Sequence, residues 1–257
     1  MSKKLFLFDI DGTLYDNDNA VVPPSTVEAI KKLAKYHHVG IATGRAEFML
    51  YSIEELLELF NDFVLINGQY IKADGEIIYS EPIDKSKLAK ICKQMDELDI
   101  IYGFQGSHKE AISKLNERAI SSFNKVGLEL PQEDKFFYLD NDVFQAWTFC
   151  SEEDAKILAK DNPYFQFIRW LDVGYDILPK SANKWLGIKR LIKHLNIKEE
   201  DVIVFGDGDN DVEMLEHAGL GIAMGNATTK VKSVADYITT SVDQDGIYNA
   251  LKHFKYI

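Results

Sequence analysis

Two stretches of this 257-residue chain end an apolar run on carboxylates. LFLF runs into Asp9, with Asp11 two positions later, and VIVFG runs into Asp207, followed by Asp209, Asn210 and Asp211. Thr43 closes the run HVGIA and Asn67 closes DFVLI in the same manner. In an open parallel sheet, ligands bind beyond the carboxyl ends of the strands, near the point where the strand order reverses, so these groups can converge on one site. Several acids gathered there repel one another unless a divalent cation sits among them, and hard oxygen ligands of this kind select Mg2+. Such a cation would also draw in a phosphate dianion. The spacing of the first pair is suited to this. Successive strand residues point to opposite faces, so Asp9 and Asp11 can address one site while Ile10 turns its side chain away and offers backbone.

Other readings of the acids fail on count. An EF-hand loop needs Gly at its sixth position and Glu at its twelfth; starting from Asp9 these are Leu14 and Ala20, and from Asp207 they are Val212 and Ala218. A dinucleotide fingerprint fails because Gly206 and Gly208 are followed by Asp211 where the third Gly belongs. Asp16, Asn17 and Asp18 read as turn residues. Cys92 and Cys150 have neither disulfide-framework nor zinc-site spacing, no histidine pair has metal-site spacing, and His37-His38 reads as the basic end of a helix. A formal net charge of -12 lacks the basic footprint that nucleic acid or a membrane surface requires. MSKK followed by LFLF starts like a signal peptide, but Asp9 and Asp11 break the apolar run before an h-region is complete. No stretch approaches the ~18 apolar residues of a membrane span. The expectation is a cytoplasmic protein with no nucleic-acid or membrane partner.

The elements that must position these acids follow from periodicity. With 46% apolar and 27% charged residues, the chain has a folded composition and a length at which one core begins to split into two. PPSTVEAIKKLAKYHH predicts an amphipathic helix opened by a Ser25 to Glu28 capping box. HVGIAT predicts a buried strand, GRAEFMLYSIEELLELF a helix and DFVLING a third strand. This alternation implies parallel pairing with right-handed crossovers. Asp74-Gly75 marks a two-residue hairpin within YIKADGEIIYSEP. The rhythm then changes: a helix from Lys85, a strand near Ile100 to Phe104, a helix around Ala111 to Val126, a strand VFQAWTF, a helix SEEDAKILAK and a strand pair turning near Asp172 to Gly174. It resumes with the helix NKWLGIKRLIKHLNI and continues to the final helix GIYNALKHF. The expected class is α/β: a doubly wound parallel-sheet core from residues 1–81 and 181–257, interrupted by an α+β insertion over 82–180.

In this order DIDGT (Asp9 to Thr13), TGR (Thr43 to Arg45), Lys184 at a helix start and GDGDND (Gly206 to Asp211) resemble the four motifs of the haloacid dehalogenase (HAD) superfamily. The place of the insertion, between the second and third motifs, resembles the C2 cap of the Cof-type (IIB) phosphatases. The resemblance implies a HAD-like, Rossmann-type core and Mg2+-dependent hydrolysis of phosphate esters through an aspartyl-phosphate. It makes Asp9 the nucleophile and Asp11 the general acid and base. It makes Asp9, Asp207 and the Asp11 backbone carbonyl the metal ligands. The backbone N–H of Ile10, with Thr43, Gly44, Lys184 and Asn210, would hold phosphate, and Asp211 would orient Lys184 or metal-bound water.

Thr43 and Gly44 are expected at a helix N-terminus, where positive potential would help. Arg45 is open between a substrate contact and a salt bridge. Lys180 competes with Lys184, and Trp185 stands where the family often has a small residue. The cap is expected to close over bound phosphate and to set selectivity. Trp147, Trp170, Phe104 and Tyr102 could contact a leaving group or pack the cap's own core. The implied substrate is a small phosphorylated metabolite, either a sugar phosphate or a phosphorylated cofactor, and the implied state a monomer or weak homodimer. A sugar phosphomutase or phosphotransferase would share the aspartyl-phosphate. A non-catalytic module phosphorylated on Asp9 is the other alternative, against which Asp11 speaks because a proton shuttle beside the nucleophile shortens the intermediate's life.

Overall fold

LFLF forms strand β1 (Leu5–Phe8), buried on both faces, in a computed structural model that describes residues 3–126, 129–169 and 173–257. The chain divides into two units, Met1–Ser80 with Asn183–Ile257, and Glu81–Ala182. In the first unit β1 is followed by α1 (Pro24–Leu33), β2 (His38–Ala42), a 3-10 stretch Glu47–Ile53 leading into α2 (Glu54–Leu57), and β3 (Asp62–Leu65). The hairpin β4 (Tyr70–Ala73) and β5 (Glu76–Ser80) follows, with Asp74 and Gly75 both at positive φ, as a tight two-residue turn requires.

Some of the predicted local features differ. The two prolines start α1, with Pro23 at the cap and Pro24 as first residue, so Ser25 is already inside the helix and its hydroxyl donates to Asp245 Oδ1 at 2.5 Å. The helix ends at Leu33, so His37 and His38 do not cap it: His37 packs against the Phe6 and Tyr256 rings and His38 opens β2. The expected second helix is largely 3-10, because its buried residues Leu50, Ile53 and Leu56 recur every third position, the period of that helix.

The second unit contains α3 (Lys85–Glu97), β6 (Ile101–Gln105), β7 (Glu110–Ile112), α4 (Glu117–Val126), β8 (Gln132–Glu133), α5 (Phe137–Asp140), β9 (Gln145–Phe149), α6 (Glu152–Asp161), β10 (Phe165–Arg169) and β11 (Gly174–Pro179). Ala111 therefore sits in a strand, and the helix expected there begins only at Glu117. The sheet order β10-β11-β9-β6-β7-β8 is antiparallel except between β7 and β8. Alternation along β6 sends Tyr102 and Phe104 to one cluster, with Leu88, Ile91 and Leu158, and Ile101 to another, with Trp147, Phe149 and Phe123. Tyr102, Phe104 and Trp147 thus pack the unit's own core; Trp170 and the Asp172 turn lie outside the described residues.

The first unit resumes with α7 (Lys184–Leu195), β12 (Val202–Gly206), α8 (Val212–His217), β13 (Leu220–Ala223), α9 (Thr229–Val234), β14 (Tyr237–Ile238) and α10 (Gly246–His253). Its sheet runs β14-β13-β12-β1-β2-β3-β4-β5, parallel from β14 to β3. One strand series leaves β1 and the other leaves its neighbour β12 in the opposite direction, so the order reverses between them. Leu5, Leu7, Val202 and Val204 pack on one face with Trp185, Ile188, Leu191 and Met214, while Phe8 stacks on Phe205 with ring centroids 4.9 Å apart.

Asp62, at the start of the interior strand β3, is buried, and neither carboxylate oxygen has a hydrogen-bond partner among the described residues; His38 Nδ1 is 3.6 Å away. Burial, and then the Asp74 charge, push its pKa from the ordinary 3.8 to about 7. The folded carboxyl therefore holds its proton more tightly than the unfolded one, and stability falls as pH rises between those two values. Asp62→Asn is expected to stabilise the fold by an amount that grows over that interval and levels off at no more than about 4 kcal/mol. Urea unfolding of both proteins at pH 5 and pH 8 checks this, since a gain independent of pH would contradict it.

Candidate active site

The parallel register of β1 and β12 pairs Phe8 with Phe205, and the N–H of Asp9 continues the ladder by donating to the Phe205 carbonyl at 3.0 Å. Asp9 and Asp207 are thereby delivered to the same sheet edge by neighbouring strands. The chain then turns sharply at Gly12, whose φ of +74° favours glycine and whose missing Cβ would otherwise fall on the Asp207 carboxylate. The turn brings Thr13 round so that its hydroxyl donates to Asp207 Oδ1 at 2.8 Å. Asn226 donates to the Gly12 carbonyl at 2.8 Å and to Asp207 Oδ2 at 3.3 Å.

Lys184 enters from α7. Asn183 caps that helix by accepting the Leu186 N–H at 3.0 Å, which makes Lys184 its first residue. A cation at a helix start opposes the helix dipole, and the buried ammonium is held instead by Asp9 Oδ1 at 2.7 Å and Asp211 Oδ1 at 2.5 Å. The other oxygen of Asp211 accepts the N–H groups of Asp207 and Gly208, each at 2.9 Å, so Asp211 is fully engaged in holding Lys184 and the β12 loop. Lys180 is exposed, and Trp185 points into the core beside α7 without displacing Lys184.

Asp9, Asp207 and Asp211 each bring a carboxylate oxygen within 4.8 Å of the others, the one such cluster among the described residues. Burial raises the Asp9 pKa well above the carboxylate range, opposed by Lys184 and reinforced by Asp211, Asp207 and Asp11. Burial and Asp211 push Asp207 up to about 7, against the Thr13 hydrogen bond and Lys184. Burial alone would lower the Lys184 pKa, but Asp211 and Asp9 raise it, so the lysine stays charged. When all three are ionised, the carboxylates facing one ammonium leave two negative charges uncompensated, the amount a divalent cation carries, and the atoms they offer are hard oxygens. The residues present therefore fit a divalent metal.

Around this cluster the remaining predicted residues divide. Asp11 is bound by Arg45 through two hydrogen bonds, Nε to Oδ2 at 2.9 Å and Nη2 to Oδ1 at 2.6 Å, which resolves Arg45 as an ion-pair partner. Thr43 is buried and its hydroxyl accepts the Arg45 N–H at 3.2 Å. No α-helix starts at Thr43 and Gly44, because the following 3-10 stretch opens only after Ala46, so the expected helix N-terminus is absent. Asn210 donates to the Asn67 side chain at 3.1 Å, and Asn67 holds a left-handed conformation with φ of 51°. Asp209 accepts from Thr228 instead of joining the cluster. Ile10 is fully buried, its side chain turned from solvent as expected of a strand neighbour. Asp16 accepts the N–H groups of Asp18 and Asn19, confirming a turn. Asn226, Asn183 and the contact of Thr13 with Asp207 were not visible in the sequence; polar residues in loops carry no periodic signal that would reveal such tertiary partners.

The chain matches the haloacid dehalogenase-like hydrolases over residues 6–251 and belongs to that family. It is 35% identical to YkrA of Bacillus subtilis over 255 residues, 98% of each chain, and 28% identical to phosphatase YwpJ of the same organism over 97% of this chain and 99% of the relative. Among solved structures, a hypothetical protein from Geobacillus kaustophilus superimposes with a TM-score of 0.94 at 37% identity, covering 100% of both chains. The HAD subclass IIB sugar phosphatase BT4131 superimposes with a TM-score of 0.90 at 33% identity, covering 99% of this chain and 100% of that one. Within the family this protein is a Cof-type, subclass IIB phosphatase, a phosphoric monoester hydrolase. Among the described residues no helix is long and apolar enough to cross a membrane.

Removing one partner of a buried ion pair leaves its mates uncompensated, at a cost of about 3–5 kcal/mol. Lys184→Met is expected to lose stability on that scale at pH 8 because Asp9 and Asp211 are both left buried. Urea unfolding should recover part of the loss when millimolar Mg2+ is added, and wild-type stability in the variant would contradict the charge balance described above.

Proposed function

We propose that the protein hydrolyses small phosphorylated metabolites, sugar phosphates or phosphorylated cofactors, with Mg2+ and through an aspartyl-phosphate. The observation that carries the reading is the buried Lys184 held between Asp9 and Asp211 beside Asp207, at the point where the strand order reverses. Asp9 and Asp207, with the backbone carbonyl of Asp11, would hold Mg2+, which when bound offsets the repulsion between nucleophile and phosphate.

Lys184 fixes one Asp9 oxygen, so the other is the one free to attack phosphorus. The new Asp9–phosphorus bond forms as the bond from phosphorus to the ester oxygen breaks, and Asp11 gives that oxygen its proton. Asp11 then takes a proton from water as the water oxygen attacks phosphorus, releasing inorganic phosphate and restoring Asp9. Lys184 serves the phosphoryl oxygens as a point charge in a buried site, where such a charge acts with less screening than in water. The Ile10 and Gly44 N–H groups, the Thr43 hydroxyl and the second amide hydrogen of Asn210 are the remaining phosphate donors. Asp211 acts behind them by keeping Lys184 in place.

The test is release of inorganic phosphate from a panel of sugar and cofactor phosphates, with Mg2+ and with excess EDTA. Turnover is expected only with the metal, and loss of the acid–base group in Asp11→Asn is expected to lower kcat by 10²–10⁴-fold. Asp9→Asn should abolish turnover and any acid-stable, hydroxylamine-sensitive phosphorylated protein. Near-normal Mg2+-dependent turnover in either variant would refute the mechanism.

A further inference from the structure

Asn226 sits on the loop between β13 and α9, and its side chain joins three other segments of the first unit. Nδ2 donates to the Gly12 carbonyl at 2.8 Å and to Asp207 Oδ2 at 3.3 Å, and Oδ1 accepts the Val242 N–H at 3.0 Å. The amide fits only one way round, because turning it over would set its oxygen against two acceptors and its nitrogen against a donor. The loop that carries it is itself held. Gly225 donates to the Thr240 carbonyl at 3.0 Å, a Cβ on Gly225 would fall 2.5 Å from the Ser241 nitrogen, and the Thr228 N–H reaches the Asp207 carbonyl at 3.2 Å.

Asp207 is thereby gripped at all of its polar atoms. Asp211 accepts its N–H, Thr228 donates to its carbonyl, Thr13 donates to Oδ1 and Asn226 to Oδ2. Each carboxylate oxygen has more than one lone pair, so one on each stays available. On the other side of Asn226 the turn after β1 is fixed in the same way. The Gly12 N–H donates to the Tyr15 carbonyl at 2.9 Å, and a trans peptide then points the Asp11 carbonyl in the opposite direction. The next carbonyl, that of Gly12, is the one Asn226 holds.

Resting on the metal-dependent phosphatase reading above, we infer that Asn226 is a positioning residue of the metal site: it ties the turn bearing the Asp11 carbonyl to the Asp207 carboxylate, setting the spacing of two groups that would hold Mg2+. Mg2+ demands near-ideal octahedral geometry, and the groups behind its ligands govern affinity by keeping those ligands in place.

Asn226 is exposed and its backbone is not left-handed, so small residues fit there without strain. Alanine offers no donor, and serine offers one on a shorter stem. Calorimetric titration of metal-stripped protein with Mg2+, without substrate, is expected to give a Kd about 10–100-fold weaker in Asn226→Ala than in wild type, with Asn226→Ser weakened in the same direction. Urea midpoints without Mg2+ should stay close to wild type. In phosphate release, the Mg2+ concentration giving half-maximal rate should rise by the same factor, while kcat and substrate KM at saturating Mg2+ stay within a few-fold. An unchanged Mg2+ Kd in both variants would overturn the inference. So would a weakening matched by an equal fall in metal-free stability, which marks a merely structural joint, or a raised substrate KM at saturating Mg2+, which marks a substrate contact. Wild type that takes up no Mg2+ would instead bring down the metal-dependent reading itself, and the positioning role with it.

Discussion

A buried ammonium gripped by two buried carboxylates is the constraint around which the first unit is built. Moving such charges out of water costs several kcal/mol per ion, and the mutual attraction returns it only when the geometry is close and the remaining lone pairs are satisfied. Both conditions are met: Lys184 lies within 2.7 Å of Asp9 and 2.5 Å of Asp211, and the spare Asp211 oxygen is occupied by two backbone N–H groups. Each participant needs its own element to arrive in register. β1 brings Asp9, β12 and its loop bring Asp207 and Asp211, and the Asn183 cap sets the first turn of α7 so that Lys184 reaches inward. An apolar trio would pack such a position at less cost.

The reason the strands can meet there is local. Four residues of LFLF and four of VIVF are apolar on both faces, which suits only a strand sandwiched between helices. The first carboxylate appears where the strand emerges from that sandwich. Gly12 is the hinge of the design, because any side chain there would occupy the space of the Asp207 carboxylate.

Much of this was legible in advance because it follows from periodicity and punctuation. The acids after apolar runs, the Asp74-Gly75 hairpin and the interruption of the α/β rhythm all leave marks on the linear sequence. What escaped depends on tertiary partners. Ser25 looked like a capping residue, but two prolines fixed the helix start earlier and released its hydroxyl to Asp245, 220 positions away. His37 looked like a helix end, but the helix stops at Leu33 and the Phe6 and Tyr256 rings pack against His37. Arg45 was ambiguous because a guanidinium near a phosphate site suits anion and carboxylate alike, and only its two hydrogen bonds to Asp11 decide between them. In the second unit Tyr102 and Phe104 looked equally suited to ligand and core until strand alternation turned them toward α3 and α6.

The order of the core strands carries a consequence for how the protein is made. Leu5 in β1 pairs with His38 on one side, soon after it is synthesised, and with Val202 on the other, 197 positions later (202 less 5). At translation speeds of about 5–20 residues per second, one flank of an entirely apolar strand waits roughly 10–40 s for its partner. An open apolar edge of that kind is a template for wrong pairing. During the wait the second unit, which has its own sheet and clusters, is completed on the ribosome. Lys184, Asp207 and Asp211 all emerge after it, so the acidic centre is assembled last, and a chain interrupted before Lys184 carries Asp9 with neither its counter-ion nor its neighbouring acids.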